Sequence, residues 1–238
     1  MEIDVFDVGM LPLNVPSRAS SYTQLFGELF RYTTSSVTLN RWTPDSIELY
    51  PRGRIVDAIL ITGSPASAHD DLPWMKNLEK VLEAAVFWKV PVVGICFGHQ
   101  FVAKWLGGRV ELNKAGWGLG VQRYSLRKEA LPWLDCDKDN LNICTSHQEH
   151  VVELPREATV FAFSEHAPIA GAYYRFSPML TLQGHPEIDA SFMDSLISHL
   201  GIRGVNPSKL TDARKSLCVP IDQEAWSRLL VSFVHEGA

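Results

Sequence analysis

Long apolar runs are missing from the 238-residue chain. None approaches the roughly 20 residues that a helix needs to cross a bilayer, so no membrane-spanning helix is expected. Blocks of Lys or Arg are missing too: 22 basic residues stand against 27 acidic ones, for a formal net charge of −5. Without a basic stripe there is no electrostatic footprint for a nucleic acid or an anionic membrane, and small molecules are the expected partners. Cysteine is scarce, and Cys96, Cys136, Cys144 and Cys218 are spread without a C-x-x-C pair. That spacing gives neither a zinc knuckle nor a dense disulfide framework, and it fits reduced thiols. The first residues, MEIDVFDVG, carry acids where a secretory leader would carry Lys or Arg, so a cytoplasmic location is expected. Repeats, linkers and low-complexity tracts are also absent. A single α/β domain over 1–238 is therefore expected, with 191–238 as a C-terminal helical extension.

What is present is a regular alternation of strand and helix patterns. Residues 2–8 and 36–39 read as strands on either side of 17–30, where Tyr22, Leu25, Phe26, Leu29 and Phe30 recur at helical spacing. Residues 57–63 give a third buried strand and 91–95 a fourth. Between them, 74–88 is helical, with Leu78, Val81, Leu82, Ala85 and Val86 along one side. This rhythm predicts a mostly parallel central sheet flanked by helices, with sites at the carboxyl ends of the strands. From about Val110 onward, short alternating runs at 119–124, 142–145, 159–164, 171–176 and 179–183 predict further strands, partly antiparallel. Helical patterns return at 191–200 and 223–235, with Pro207 and Pro220 as breaks.

One cysteine sits where the chain turns from strand to helix. Gly94-Ile95-Cys96-Phe97-Gly98 has the G-x-nucleophile-x-G form of an elbow, whose glycines give the backbone room to turn sharply and lift the nucleophile above the sheet. The unpaired N–H groups and dipole of a helix N-terminus favour a thiolate, and the Phe97 N–H can help bind a developing oxyanion. The bland alternative, a buried core cysteine beside a tight turn, suits the other three cysteines better because they lack this context. A nucleophilic cysteine also needs a base and a group that orients the base. His185 ends a predicted strand in Leu-Gln-Gly-His-Pro-Glu, and Glu187 follows two residues later, able to hold the imidazole tautomer that takes the thiol proton. Taken alone, His-Pro-Glu reads as a turn leading into the next helix, with the glutamate near its start. Gly116-Trp-Gly-Leu-Gly does not complete G-x-G-x-x-G and precedes a strand, so it reads as a turn and not a dinucleotide loop.

G-I-C-F-G-H-Q-x-x-A-x-x-L-G-G, followed downstream by Q-G-H-P-E, resembles the class I glutamine amidotransferases, in particular the free-standing relatives of the GMP synthase amidotransferase. The likeness covers about residues 40–190. It implies a flavodoxin-like α/β fold and hydrolysis of a glutamine side-chain amide through a γ-glutamyl thioester, with Cys96 as nucleophile, His185 as base and Glu187 as its orienter. Ile59-Leu-Ile-Thr-Gly-Ser-Pro-Ala-Ser resembles the family's oxyanion strand, which makes the Ser64 N–H, next to Gly63, the second donor beside Phe97. A serine stands there in place of the usual second glycine. The Gly-Ser pair and Asp71-Leu-Pro-Trp74 resemble the free-standing subgroup. By the same resemblance Gln100, Ser146, His147, Gln148 and Glu149 hold the amino-acid end of the substrate. On its own, 145–151 reads as a polar surface loop, with His147, His150 and His166 as solvated histidines. Their spacing is not that of a metal site, and neither a metal nor a cofactor is expected. Gly118 falls where free-standing relatives often carry an acidic residue.

Three functions follow as expectations: a glutamine amidotransferase or glutaminase-type hydrolase, a γ-glutamyl peptide hydrolase, and a non-catalytic binding or regulatory module on the same fold. The roughly fifty residues after Glu187 hold no P-loop and no room for a synthetase domain. Any ammonia-consuming synthase would be a separate chain.

Overall fold

The computed structural model describes residues 1–11, 19–51, 53–131, 133–134 and 136–236. Ser17 and Arg18, at the start of the stretch read as the first helix, and the last two positions of the expected extension lie outside the described residues. The chain runs β1 (Glu2–Phe6), α1 (Tyr22–Leu29), β2 (Thr38–Trp42), β3 (Ala58–Ile61), α2 (Pro73–Trp88), β4 (Val92–Ile95) and α3 (Phe97–Trp105). It continues through β5 (Arg109–Leu112), β6 (Gly118–Leu126), β7 (Asn140–His147), β8 (Glu149–Glu153), β9 (Ala158–Phe163), β10 (Gly171–Tyr174) and β11 (Met179–Leu182). Three helices follow: α4 (Ala190–Ile202), α5 (Pro207–Ser216) and α6 (Gln223–Glu236).

Among the described residues, nine strands form one sheet in the order β2-β1-β3-β4-β11-β10-β9-β6-β7. The first five in that order run parallel and the rest continue antiparallel. The buried residues of the central strands divide between two clusters. Ile3, Val5, Ala58, Leu60, Val93 and Ile95 face α1 and α6, whereas Phe6, Ile59, Ile61 and Val92 face α2 and α3. This alternation follows from the two-residue period of a strand, and burial on both faces explains the continuous apolar runs read from the sequence. Helix α1 starts where Ser21 accepts a hydrogen bond from the Gln24 N–H at 3.2 Å. Helix α2 opens on Pro73, whose missing N–H costs nothing at that position.

Strand β11 inserts beside β4 with Leu182 opposite Ile95. That register places the residues following both strands, Cys96 and Gln183 to His185, side by side at the carboxyl edge. Helix α6 belongs to the core: Trp226 is fully buried, its indole donates to the Asn142 carbonyl at 3.1 Å, and Ser227 Oγ donates to the Leu29 carbonyl at 2.9 Å.

Three features depart from expectation. Residues 145–151 are not a surface loop but the end of β7 and the start of β8, which pairs with β5 in a separate two-stranded sheet. Cross-strand partners set these strands, and their own polar sequence carries no alternation. Helix α5 buries only Leu210 and Ala213, too little to give a helical pattern; Pro207, read as a break, is its first residue, behind an Asn206 cap. Strand β2 starts two residues later than read and extends to Trp42.

Candidate active site

Cys96 occupies a strained backbone position, φ 52° and ψ −98°, between β4 and α3. For a non-glycine residue this costs about 1–3 kcal/mol. Two hydrogen bonds fix it: the Cys96 N–H donates to the Leu182 carbonyl at 2.8 Å, and the Gln100 N–H donates to the Cys96 carbonyl at 3.1 Å. The flanking glycines are steric necessities. A Cβ on Gly94 would lie 2.8 Å from the Gly98 carbonyl oxygen, and one on Gly98 would lie 2.6 Å from the Ile61 carbonyl oxygen. On the outer face Phe97 packs against Phe101, centroids 5.3 Å apart, and against Trp74 of the Asp-Leu-Pro-Trp segment at 5.5 Å.

His185 follows β11 and is pinned to β7, its N–H donating to the Cys144 carbonyl at 2.8 Å. Its Nδ1–H donates to Glu187 Oε1 at 2.7 Å, with the side chains 5% and 0% exposed. The Cys96 sulfur is the ring's second electrostatic partner. Burial alone disfavours the imidazolium, but the Glu187 carboxylate and the Cys96 sulfur outweigh it and push the His185 pKa up to about 10. The ring lies over Gly63, where an added Cβ would fall 2.7 Å from His185 Cε1 and 3.5 Å from Cys96 Cβ. Tyr22 stacks on the ring, at a centroid distance of 6.5 Å and 29° between planes. Sequence reasoning assigned Tyr22 to the core; its place against the histidine has no local signal and comes from the packing of α1. Glu187 does not cap the next helix. Asp189 does, accepting from the Phe192 N–H at 2.7 Å.

Gly63 and Ser64 follow β3. The Ser64 hydroxyl donates to the Val8 carbonyl at 2.9 Å and accepts from the Ala66 N–H at 3.2 Å, while Thr62 Oγ1 accepts from the Val8 N–H at 3.1 Å. Among the described residues, the backbone N–H groups of Ser64 and Phe97 take no part in the loop and turn hydrogen bonds. The Ser146 carbonyl, near the end of β7, lies 4.0 Å from Cys96 Sγ. Gln100 Nε2 donates to the Glu149 carbonyl at 2.7 Å. The Glu149 carboxylate takes the Ser67 hydroxyl at 2.8 Å, tying the segment after Ser64 to β8. Gln148 is exposed to solvent.

His147 is not a solvated histidine: it is buried, and its Nδ1–H donates to the Glu149 carbonyl at 2.9 Å. Burial pushes its pKa down to about 3, and burial also lowers His150 and His166, both half-buried. His147 and His166 meet edge-on at 5.5 Å over Gly118. A Cβ on Gly118 would fall 2.7 Å from His147 Nε2 and 2.6 Å from His166 Cδ2, so the two rings occupy the space of a side chain.

A family model, glutamine amidotransferase class-I, matches residues 17–201. The chain belongs to the class I glutamine amidotransferases. The match extends past both ends of the likeness read from the motifs and stops within α4, so α5 and α6 lie beyond it. Among curated class I relatives, γ-glutamyl peptidase 3 of Arabidopsis thaliana is 28% identical over 75% of this chain and 74% of its own length. One of the subunits of the glutamine-hydrolysing GMP synthase of Pyrococcus abyssi is 34% identical over 56% of this chain and 65% of its own length. The solved structure of a glutamine amidotransferase from Thermotoga maritima covers 99% of this chain and 98% of its own with a TM-score of 0.71 at 20% identity, a likeness of fold. In this class I fold the two departures read from the sequence have physical content. The Ser64 hydroxyl makes a tether to Val8 that glycine cannot make, and Gly118 leaves room for two imidazole rings.

Proposed function

We propose that this class I chain hydrolyses the γ-amide of glutamine, or a related γ-glutamyl amide or peptide, through a thioester on Cys96. The observation that carries the reading is the buried Glu187–His185 hydrogen bond beside Cys96, with His185 and Cys96 meeting at Gly63 and Cys96 set on a strained elbow at the carboxyl edge of the sheet. In this reading the reacting pair is a Cys96 thiolate beside a His185 imidazolium, whose charge the Glu187 carboxylate stabilises. The thiolate attacks the γ-carbonyl carbon. The carbonyl oxygen takes the negative charge, stabilised by the N–H groups of Phe97 and of Ser64 beside Gly63. His185 gives its proton to the leaving nitrogen, and ammonia or an amine departs as the thioester forms. Neutral His185 then takes a proton from water as that water attacks the thioester, glutamate leaves, and the thiolate returns. Glu187 stabilises the imidazolium and fixes its tautomer. In this reading Gln100, Ser146, His147, Gln148 and Glu149 hold the amino-acid end of the substrate. No cofactor is needed, and a free thiol nucleophile suits a reducing cytoplasmic setting. We also read 1–238 as one domain, since α6 packs into the core and Gln223 Nε2 donates to the Pro186 carbonyl at 3.0 Å, next to the proposed triad.

A free-standing hydrolase is favoured over an ammonia-supplying component of a synthase by the tethers on the oxyanion strand. Ser64 to Val8, Val8 to Thr62 and Ser67 to Glu149 hold that strand without a partner chain. The expected result is steady-state release of glutamate by the pure chain from glutamine or γ-glutamyl dipeptides, assayed alone and with candidate synthases. Negligible turnover alone with a large rise on adding a synthase would leave the ammonia-supplying reading standing. No turnover under any condition would favour a non-catalytic module.

Affinity labelling separates the four thiols. Burial, then the Glu187 and Asp189 carboxylates, push the Cys144 thiol well up, so it resists alkylation. A glutamine-like electrophile is expected to modify Cys96 first, protected by excess substrate. Peptide mass spectrometry finding Cys136 or Cys218 labelled ahead of Cys96 would contradict this.

A further inference from the structure

Gln183, the first residue after β11, has no solvent exposure, and its side chain is held between two others. The Glu149 carbonyl can only accept, so Gln100 must turn its amide nitrogen toward it, at 2.7 Å. The same nitrogen lies 3.1 Å from Gln183 Oε1, and a donor there requires the oxygen of Gln183 on that side. The opposite end of the carboxamide, Nε2, therefore points at Cys96 Sγ, 3.6 Å away. A backbone carbonyl thus sets the direction of a hydrogen-bond donor two side chains away.

We propose that Gln183 is a further catalytic residue, whose side-chain N–H holds and stabilises the Cys96 thiolate, with Gln100 and the Glu149 carbonyl fixing the direction of that donor. The inference rests on the reading of Cys96 as nucleophile. A neutral thiol is a weak acceptor and a thiolate a strong one, so a donor aimed at the sulfur favours the reactive form. The same bond helps twice, keeping the thiolate available for attack on the substrate and stabilising it again as the leaving group when the thioester is hydrolysed. Imidazolium and carboxamide are then two separate donors to one sulfur. The backbone N–H of Gln183 is already used, donating to the Ala170 carbonyl at 2.8 Å, so the side chain is not needed to hold the strand end in place.

The test uses the full chain with Gln183→Met, which keeps length and apolar bulk, and Gln183→Leu as a second variant in case the first folds poorly. Cys96 alkylation by iodoacetamide is followed by peptide mass spectrometry across pH, beside thermal melting and steady-state turnover. Loss of a hydrogen bond to a charged group predicts alkylation about tenfold slower at neutral pH, with the profile displaced to higher pH. It also predicts a similar fall in kcat with KM little changed. A folded variant that alkylates at the wild-type rate with an unmoved profile would overturn the proposal. The outcomes separate from the fate of the hydrolase reading, because alkylation needs no substrate. Slowed alkylation in a chain that turns over no γ-glutamyl compound discards the hydrolase and keeps the donor; unchanged alkylation with normal turnover does the reverse.

Discussion

Cys96→Ala is expected to bring hydrolysis down to background, a loss of at least about 10³-fold, while the protein still folds. Alanine keeps the Cβ, so the strain at φ 52° and the two backbone hydrogen bonds of the elbow are unchanged. What is removed is one buried sulfur, a small cavity worth roughly 1 kcal/mol. Circular dichroism and thermal melting establish the fold, and glutamate release measures the loss. Removing the sulfur also takes away one of the two groups that raise the His185 pKa and leaves Glu187 as the other. Turnover by a folded Cys96→Ala protein at anything near the wild-type rate would sink the thioester mechanism.

His185→Ala is expected to cost about 10⁴-fold or more in kcat, and Glu187→Gln roughly 10- to 100-fold less than that. In the proposed mechanism the histidine carries a proton in both half-reactions, whereas the glutamate orients it and stabilises its charge. Glutamine at position 187 keeps an acceptor for the Nδ1–H but loses the negative charge. The pKa of His185 should therefore fall from its raised value, by an amount that NMR titration of the ring can read. Sign follows from the same shift: with the folded value near 10 and the ordinary value at 6.5, the contribution of the pair to stability is full below about 6.5 and is lost as pH rises through about 10. Thermal melting of the wild type should show that alkaline loss, and Glu187→Gln should flatten it. Equal damage from both substitutions, with His185 titrating unchanged in the glutamine variant, would assign Glu187 a different role.

The sequence by itself determined the elements whose signal is local. The buried strands β3 and β4 are continuous apolar runs, α2 shows its apolar side directly, and the elbow announces itself because two glycines must flank a residue forced into a strained turn. Cys96 drew attention by that elbow, whereas His185 and Glu187, proposed as its base and orienter, read locally as a turn and were singled out only by their pairing with Cys96. The tertiary structure alone decided what depends on which strands lie side by side. Strand β11 enters next to β4 although β5 to β10 intervene along the chain, and no local pattern encodes that adjacency. With it come the stacking of Tyr22 on His185, the burial of His147, and the carboxamide of Gln183 turned onto the sulfur. The polar stretch 145–151 became strand because β5 and β6 supply its hydrogen-bond partners, a property of neighbours and not of its own residues. Propensity and periodicity act over a few residues along the chain, whereas register and side-chain burial are fixed by contacts between segments far apart in it, and the chemistry of this site sits at such contacts.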